Sequence, residues 1–368
     1  MTNLTQFKNT TILGFAKIYS QAHTGVQNVL VNLSKNLNRP LNRPTVITLI
    51  VTNNCMLRCQ QCDLWKTLPD KKPLTFKEAK IIIDRLHSWL GNFYLHFSGG
   101  EPFLNHDLLK MIEYADKKGI TTHITSNAYI FNPVLIKKII ASRLSSLSIS
   151  LDGATAGTHD RLRGVKGAYG KVISSLKWFR QFDPSHRLKI YLNTVIMRPN
   201  VKQLSQIVNI AAQNHVDGLT FQNLLPNLDS GKSVNDQVNS RLWPKYLLLK
   251  KSTGNLIKNI PNTPVLHTTK SDLIYTQNYY KNPHITDQFQ CAAGINDFIV
   301  NHRGGVRLCH SFPPIGNIFK TDPKSIWHGD TAQKQRPVIR KCLQPCKMTV
   351  CNQVNTERQK YVILKSFQ

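Results

Sequence analysis

Residues 45–62 read TVITLIVTNNCMLRCQQC, a run of aliphatic and β-branched side chains that ends in three cysteines. Such a run (45–51) predicts a strand buried on both faces, as in a parallel sheet. Cys55, Cys59 and Cys62 then stand just past its carboxyl end. The pattern recurs downstream. Thr75 and Glu78 form a capping box opening a helix that runs to about His87. Further strands are expected at 94–97 (YLHF), 121–125 (TTHIT), 147–151 (LSISL), 189–195 (KIYLNTV) and from 218. Helices at 107–118, 133–142, 169–182 and 201–214 alternate with them. Six strand–helix units over about 180 residues predict an α/β fold with a parallel sheet. Six are too few for an eight-stranded barrel, which leaves an open doubly wound sheet or an incomplete barrel. Both gather ligands at the carboxyl ends of their strands, where the unusual residues of this stretch lie.

The chain has 368 residues, 41% of them hydrophobic, which excludes a disordered or fibrous protein. No apolar run approaches the roughly 18 residues of a membrane-spanning helix. Lys and Arg outnumber Asp and Glu by 48 to 20, a net charge of +28 that suggests either contact with nucleic acid, an anionic substrate or a membrane surface, or a solvated basic surface with no specific partner. Residues 1–44 form a basic extension without a single acidic residue. Within it Val26, Val29, Leu30, Leu33 and Leu37 recur at helical spacing, and Pro40 and Pro44 end the pattern. This amphipathic helix is expected either to pack on the α/β domain or to dock peripherally on an anionic membrane. The extension lacks the features of a secretory signal, so a cytoplasmic location is expected. Eight cysteines are too few for a disulfide scaffold, and none falls between Cys62 and Cys291. Two dense groups of thiols read as metal ligands in a reducing compartment.

Three thiolates spaced four and three residues apart do not complete a tetrahedral zinc site, which takes four ligands. They can hold three irons of a [4Fe–4S] cubane and leave the fourth iron open to a ligand. CMLRCQQC resembles the Cys-x3-Cys-x2-Cys signature of the radical S-adenosylmethionine (radical SAM) superfamily, and the resemblance covers roughly residues 45–223. It implies a partial (βα)6 TIM-type barrel, a [4Fe–4S] cluster on Cys55, Cys59 and Cys62, and S-adenosylmethionine (SAM) as cofactor. Ser98-Gly99-Gly100-Glu101-Pro102 resembles the family's GGE motif, which implies that Glu101 meets the methionine amino group beside Gly99 and Gly100. The resemblance assigns polar cofactor contacts to Ser126 and Asn127, ribose hydroxyls to Ser150 and Asp152, and the SAM carboxylate to Arg163. Asn193 is a further candidate. The family commonly has a ring-bearing residue before the third cysteine; here Gln61 stands there, so adenine stacking would pass to Trp65. No catalytic acid or base can be named.

Cys291, Cys309, Cys342, Cys346 and Cys351 form the second group. Their setting, with Gly304-Gly305 before Cys309, resembles the SPASM/twitch auxiliary-cluster domains of radical SAM enzymes and implies a small cysteine-rich α+β domain at 286–352. A full SPASM domain needs seven or eight cysteines, so five fit a twitch-like domain with one auxiliary [4Fe–4S] cluster, which needs four. Cys291 and Cys309 belong to that set, and two of Cys342, Cys346 and Cys351 would complete it. A zinc site on four of the five is the alternative. Residues 226–285 read as a connector with one helix near 242–251, and 353–368 as a tail.

The resemblance implies an enzyme that reductively cleaves SAM to a 5′-deoxyadenosyl radical and takes hydrogen from a peptide or small molecule. A flavodoxin- or ferredoxin-type reductant is the implied partner. The competing expectation is a basic, zinc-stabilised nucleic-acid-binding protein that uses the barrel as a scaffold. Charge favours it, but no specific nucleic-acid motif supports it.

Overall fold

The computed structural model describes residues 39–225 and 238–346, apart from 45, 67–71, 289, 290 and 292, together with residues 30, 33, 34 and 37. Six parallel strands lie side by side in chain order: β1 (Val46–Thr52), β2 (Tyr94–Gly99), β3 (Thr121–Ser126), β4 (Ser146–Ser150), β5 (Lys189–Ile196) and β6 (Gly218–Asn223). Between them run α1 (Phe76–Leu90), α2 (Leu108–Lys117), α3 (Pro133–Ala141), α4 (Ala156–Arg163), α5 (Ala168–Phe182) and α6 (Leu204–Gln213). β6 is an edge of the sheet and does not pair with β1, so this α/β sheet is an incomplete barrel.

Alternation along the strands explains the layers. In β5, Ile190, Leu192, Thr194 and Ile196 are buried while Lys189, Tyr191, Asn193 and Val195 are half-buried. Successive side chains point to opposite faces, so one face packs on the helices and the other looks into the barrel. The helix layer is seated by its caps. Thr75 Oγ1 accepts from the Glu78 amide while Glu78 returns a bond to the Thr75 amide, the reciprocal box expected from sequence. Such a cap contributes about 1 kcal/mol.

Three features differ from the sequence reading. The short α4 was not anticipated, because its polar sequence AGTHDRLR has no apolar stripe. The stretch read as a connector with one helix contains two, α7 (Tyr246–Asn259) and α8 (Lys270–Lys281). A segment just before α8 also covers the exposed edge of β6, where the Leu219 amide donates to Val265 O (2.7 Å) and the His267 amide to Leu219 O (2.9 Å). Thirdly, the C-terminal region is built onto the barrel sheet. β7 (Asp297–Val300) pairs in parallel with β1, and β8 (Gly305–Arg307) and β9 (Gly316–Asn317) continue the sheet antiparallel. Helices α9 (Pro323–His328) and α10 (Asp330–Arg340) complete this region.

Of the expected N-terminal helix, Leu30, Leu33, Ser34 and Leu37 are helical, with Leu33 and Leu37 exposed. Val26 and Val29 lie outside the described residues. Among the described residues no helix is long and apolar enough to cross a membrane.

Candidate active site

The first cysteine loop leaves β1 and is tied down at both ends. Near β1, the Gly100 amide donates to Thr52 O (3.0 Å) and the Glu101 amide to Asn54 O (2.8 Å). A Cβ on Gly99 or Gly100 would overlap the carbonyl oxygens of Thr52 or Asn54, so only glycine lets the ends of β1 and β2 approach this closely. Further along, α4 lends its C-terminal carbonyls, which have no partners within their own helix. Leu162 O accepts from the Gln60 amide (2.9 Å) and Arg163 O from the Arg58 amide (3.1 Å). The Gln60 side chain adds a bond to Arg161 O (2.8 Å). The helix missed in the sequence is therefore what braces the cysteine loop.

Cys55, Cys59 and Cys62 line one cavity with Gly99, Gly100, Ser126, Asn127, Ser150 and Arg163. Sequence reasoning had singled out all nine. Ser98 and Thr125, from the same strand ends, line it as well, as do Gln61 and Trp65. Trp65 is held by an indole N–H bond to Cys59 O (3.1 Å). Asn127 Nδ2 lies 3.8 Å from Cys55 Sγ, and Arg163 Nη1 lies 3.8 Å from Cys59 Sγ. Burial pushes the Cys55 thiol up to about 11 and raises that of Cys62. Such thiols ionise when a metal takes the charge. Among the described residues no three His, Cys, Asp or Glu side chains converge on a point suited to a single metal ion.

Two predicted site residues stand behind this lining. Glu101 is fully buried, and its carboxylate accepts from the amides of Asn127 (2.8 Å) and Phe103 (3.2 Å) and from Ser126 Oγ (2.9 Å). Burial pushes its carboxyl up to about 7 against those donors. Asp152 is likewise fully buried, with Oδ2 paired to Arg163 Nη2 (2.8 Å) and bonded by Gln61 Nε2 (2.9 Å), and Oδ1 bonded by the Val195 amide (2.9 Å). Its own amide donates to His159 Nδ1 (3.0 Å), whose ring burial pushes down to about 3 and so keeps neutral. Asn200, which carries no motif signal, bonds Asp152 O (2.9 Å) and Val195 O (2.8 Å) and fixes this strand end. Asn193 keeps its place on the lumen face of β5.

Two polar atoms at the cavity are buried without a hydrogen-bond partner, Gln61 Oε1 and Arg163 Nε. One is an acceptor and the other a cationic donor, which suits a ligand carrying both hydroxyls and a carboxylate. Thiols, glycine cradle and orphaned polar atoms together fit an iron–sulfur cluster with SAM.

The second group converges at the other end of the chain. A hairpin joins β7 to β8, where Gly304, with φ of 77°, makes the turn and its amide donates to Asn301 O (2.9 Å). Cys291 and Cys309 are buried, Cys342 and Cys346 half-buried. Burial pushes the Cys346 thiol up to about 12, and charge on Cys291, Cys309 or Cys342 pushes it the same way, so the fold brings the four thiols into one neighbourhood. Cys351 lies outside the described residues.

Comparison with known proteins agrees. The family model described as the radical SAM superfamily matches residues 49–209, and the SPASM model, an iron–sulfur cluster-binding domain, matches 291–353. The chain carries a radical SAM domain followed by a SPASM domain. The chain is 29% identical over 179 residues to the PqqA peptide cyclase of Bradyrhizobium diazoefficiens, covering 48% of this chain and 46% of that one. It is 30% identical over 165 residues to the AdoMet-dependent heme synthase of Methanosarcina barkeri, covering 44% and 46%. The matched region thus spans about half the length of these curated relatives. Among solved structures, Streptococcus suis SuiB bound to SAM superposes with a TM-score of 0.63 at 18% identity, over 84% of this chain and 71% of SuiB. SuiB bound to its precursor peptide SuiA gives 0.61 at 17%, over 82% and 68%. The two domains imply a [4Fe–4S] cluster with SAM and, in the SPASM region, auxiliary iron–sulfur ligation.

Proposed function

We propose that this chain is a radical SAM enzyme that modifies a peptide. When bound and reduced, the cluster supplies one electron that splits SAM into methionine and a 5′-deoxyadenosyl radical, which takes hydrogen from the substrate. The observation that carries the reading is the single cavity in which three cysteines face the Gly99–Gly100 edge and Arg163. In it Cys55, Cys59 and Cys62 hold the cluster, and Asn127 and Arg163 stand beside the thiolate sulfurs. Arg163 meets the SAM carboxylate, while Ser150 and Gln61 take the ribose hydroxyls. Asp152 holds Arg163 and Gln61 in place from behind. Glu101 does the same for Ser126 and Asn127. Cys291, Cys309, Cys342 and Cys346 hold one auxiliary cluster.

Two things support a peptide substrate. One relative carries a peptide cyclase name, and SuiB was solved with a precursor peptide. The other is the lumen itself. The strand face that brings Ser98, Thr125 and Ser150 to the cavity also carries His96, His123 and Ser148 by the two-residue period. His96 Nε2 lies 3.2 Å from Thr125 Oγ1 and His123 Nδ1 2.8 Å from Ser146 Oγ. Such a wall offers hydrogen bonds suited to backbone amides. We add an acidic flavodoxin- or ferredoxin-type reductant as partner, and peripheral membrane contact through the helical residues that expose Leu33 and Leu37. The test is anaerobic incubation of the iron-loaded chain with dithionite and SAM. The expected product is 5′-deoxyadenosine, lost in Cys55→Ala, and its absence from a fully iron-loaded sample overturns the reading.

A further inference from the structure

Helix α10 brings two arginines to the auxiliary cysteines. Arg336 and Arg340 stand one turn apart and both donate to the loop just after Cys291. Arg336 is fully buried, giving Nε to Gly294 O (2.8 Å) and Nη2 to Trp327 O (2.7 Å), with its guanidinium carbon 4.6 Å from the Trp327 ring centroid. Arg340 gives Nη2 to Ala293 O (3.1 Å). After these bonds Arg336 Nη1 and both Nε and Nη1 of Arg340 are buried without a hydrogen-bond partner. Among the described residues no carboxylate pairs with either arginine.

Sequestering a guanidinium from water without an anion is expensive. Two of them one helical turn apart compound the problem, since each disfavours the other's charge. The compensating charge is close at hand. Arg340 bonds the carbonyl of Ala293, two residues after Cys291, and Cys342 follows two residues after Arg340 itself. A [4Fe–4S] centre on four thiolates carries net negative charge, which deepens by one unit on reduction. Nearby cations and N–H donors favour the more negative state and so raise the potential.

We infer that Arg340, backed by Arg336, is a positioning residue that holds the reduction potential of the auxiliary cluster high by presenting positive charge and N–H donors beside Cys291. The centre is thereby poised to accept an electron. The inference rests on the reading that Cys291, Cys309, Cys342 and Cys346 hold an iron–sulfur cluster. Arg340 also ties the segment after Cys291 to the segment entering Cys342, so it couples the two halves of the cage.

The test uses the full-length chain with Cys55, Cys59 and Cys62 all changed to alanine, reconstituted anaerobically with iron and sulfide so that the auxiliary centre alone is observed. Iron and sulfide are counted, and the centre is titrated by electron paramagnetic resonance against solution potential. At the parent's midpoint potential, Arg340→Met is expected to raise the oxidised-to-reduced ratio about tenfold, about 59 mV for one electron. Arg340→Lys, which keeps the charge, moves it less, and Lys334→Gln on the exposed side of α10 leaves it in place. Where Arg340→Met does not retain iron, Arg340→Gln against Arg340→Lys makes the same comparison, with the glutamine variant lower. No cluster in the parent overturns the ligand reading. A cluster whose midpoint ignores the charge at position 340 overturns the inference and leaves that reading standing.

Discussion

Gln61 lies between Cys59 and Cys62, and its two ends face different tasks. The amide nitrogen bonds Asp152 Oδ2, while the carbonyl oxygen is buried at the cavity without a protein partner. An unmatched buried acceptor costs about 1–3 kcal/mol, a penalty that a hydroxyl from SAM would relieve. Gln61→Leu keeps the bulk and removes that acceptor, so the SAM dissociation constant should rise about tenfold, or about 1.4 kcal/mol, with iron content unchanged. Equilibrium dialysis of the anaerobic protein checks it, and unchanged affinity would leave Gln61 without a role in the nucleoside site. The cysteines were legible in sequence because their chemistry is written in local spacing. The placement of Glu101 and Asp152 was not, since both lie behind the lining through packing that no short motif encodes. Asn200 escaped for the same reason.

Elements show where local reading ends. The six parallel strands and most of their helices were legible because buried β-branched runs and amphipathic stripes carry their own periodicity. β7 was not. DFIV is only four residues long and becomes a strand by pairing with β1, some 250 residues upstream, which locks the cysteine module onto the barrel. α4 escaped because what it supplies is carbonyl oxygens, invisible in side-chain pattern. The Gly304 turn is the weak point of the module. A Cβ there would overlap the Phe319 ring on a backbone with φ of 77°. Gly304→Ala should therefore displace the β7–β8 hairpin that feeds Cys309, and iron should fall from about eight to about four per chain. Iron analysis with the SAM-binding cluster's resonance retained checks it; full iron loading would show that the hairpin does not organise the cage.

At the scale of the molecule the charge balance stands out. Ion pairs among the described residues already engage Asp63, Glu78, Asp84, Asp107, Asp116, Asp152 and Asp217, and still the whole chain carries +28. An acidic electron carrier approaching this surface is steered by the summed field, which raises its rate of encounter more than its affinity. Raising ionic strength from about 0.01 to about 1 M shrinks the screening length from about 30 to about 3 Å, shorter than the separation at which steering acts. Production of 5′-deoxyadenosine driven by reduced flavodoxin should thus fall steeply across that range. With reduced methyl viologen, a small cation that the same field repels, the rate should hold or rise. Opposite salt responses with the two reductants place the surplus charge in the service of electron delivery. Parallel responses would assign it to another anionic partner, since the chemistry after electron arrival is common to both assays.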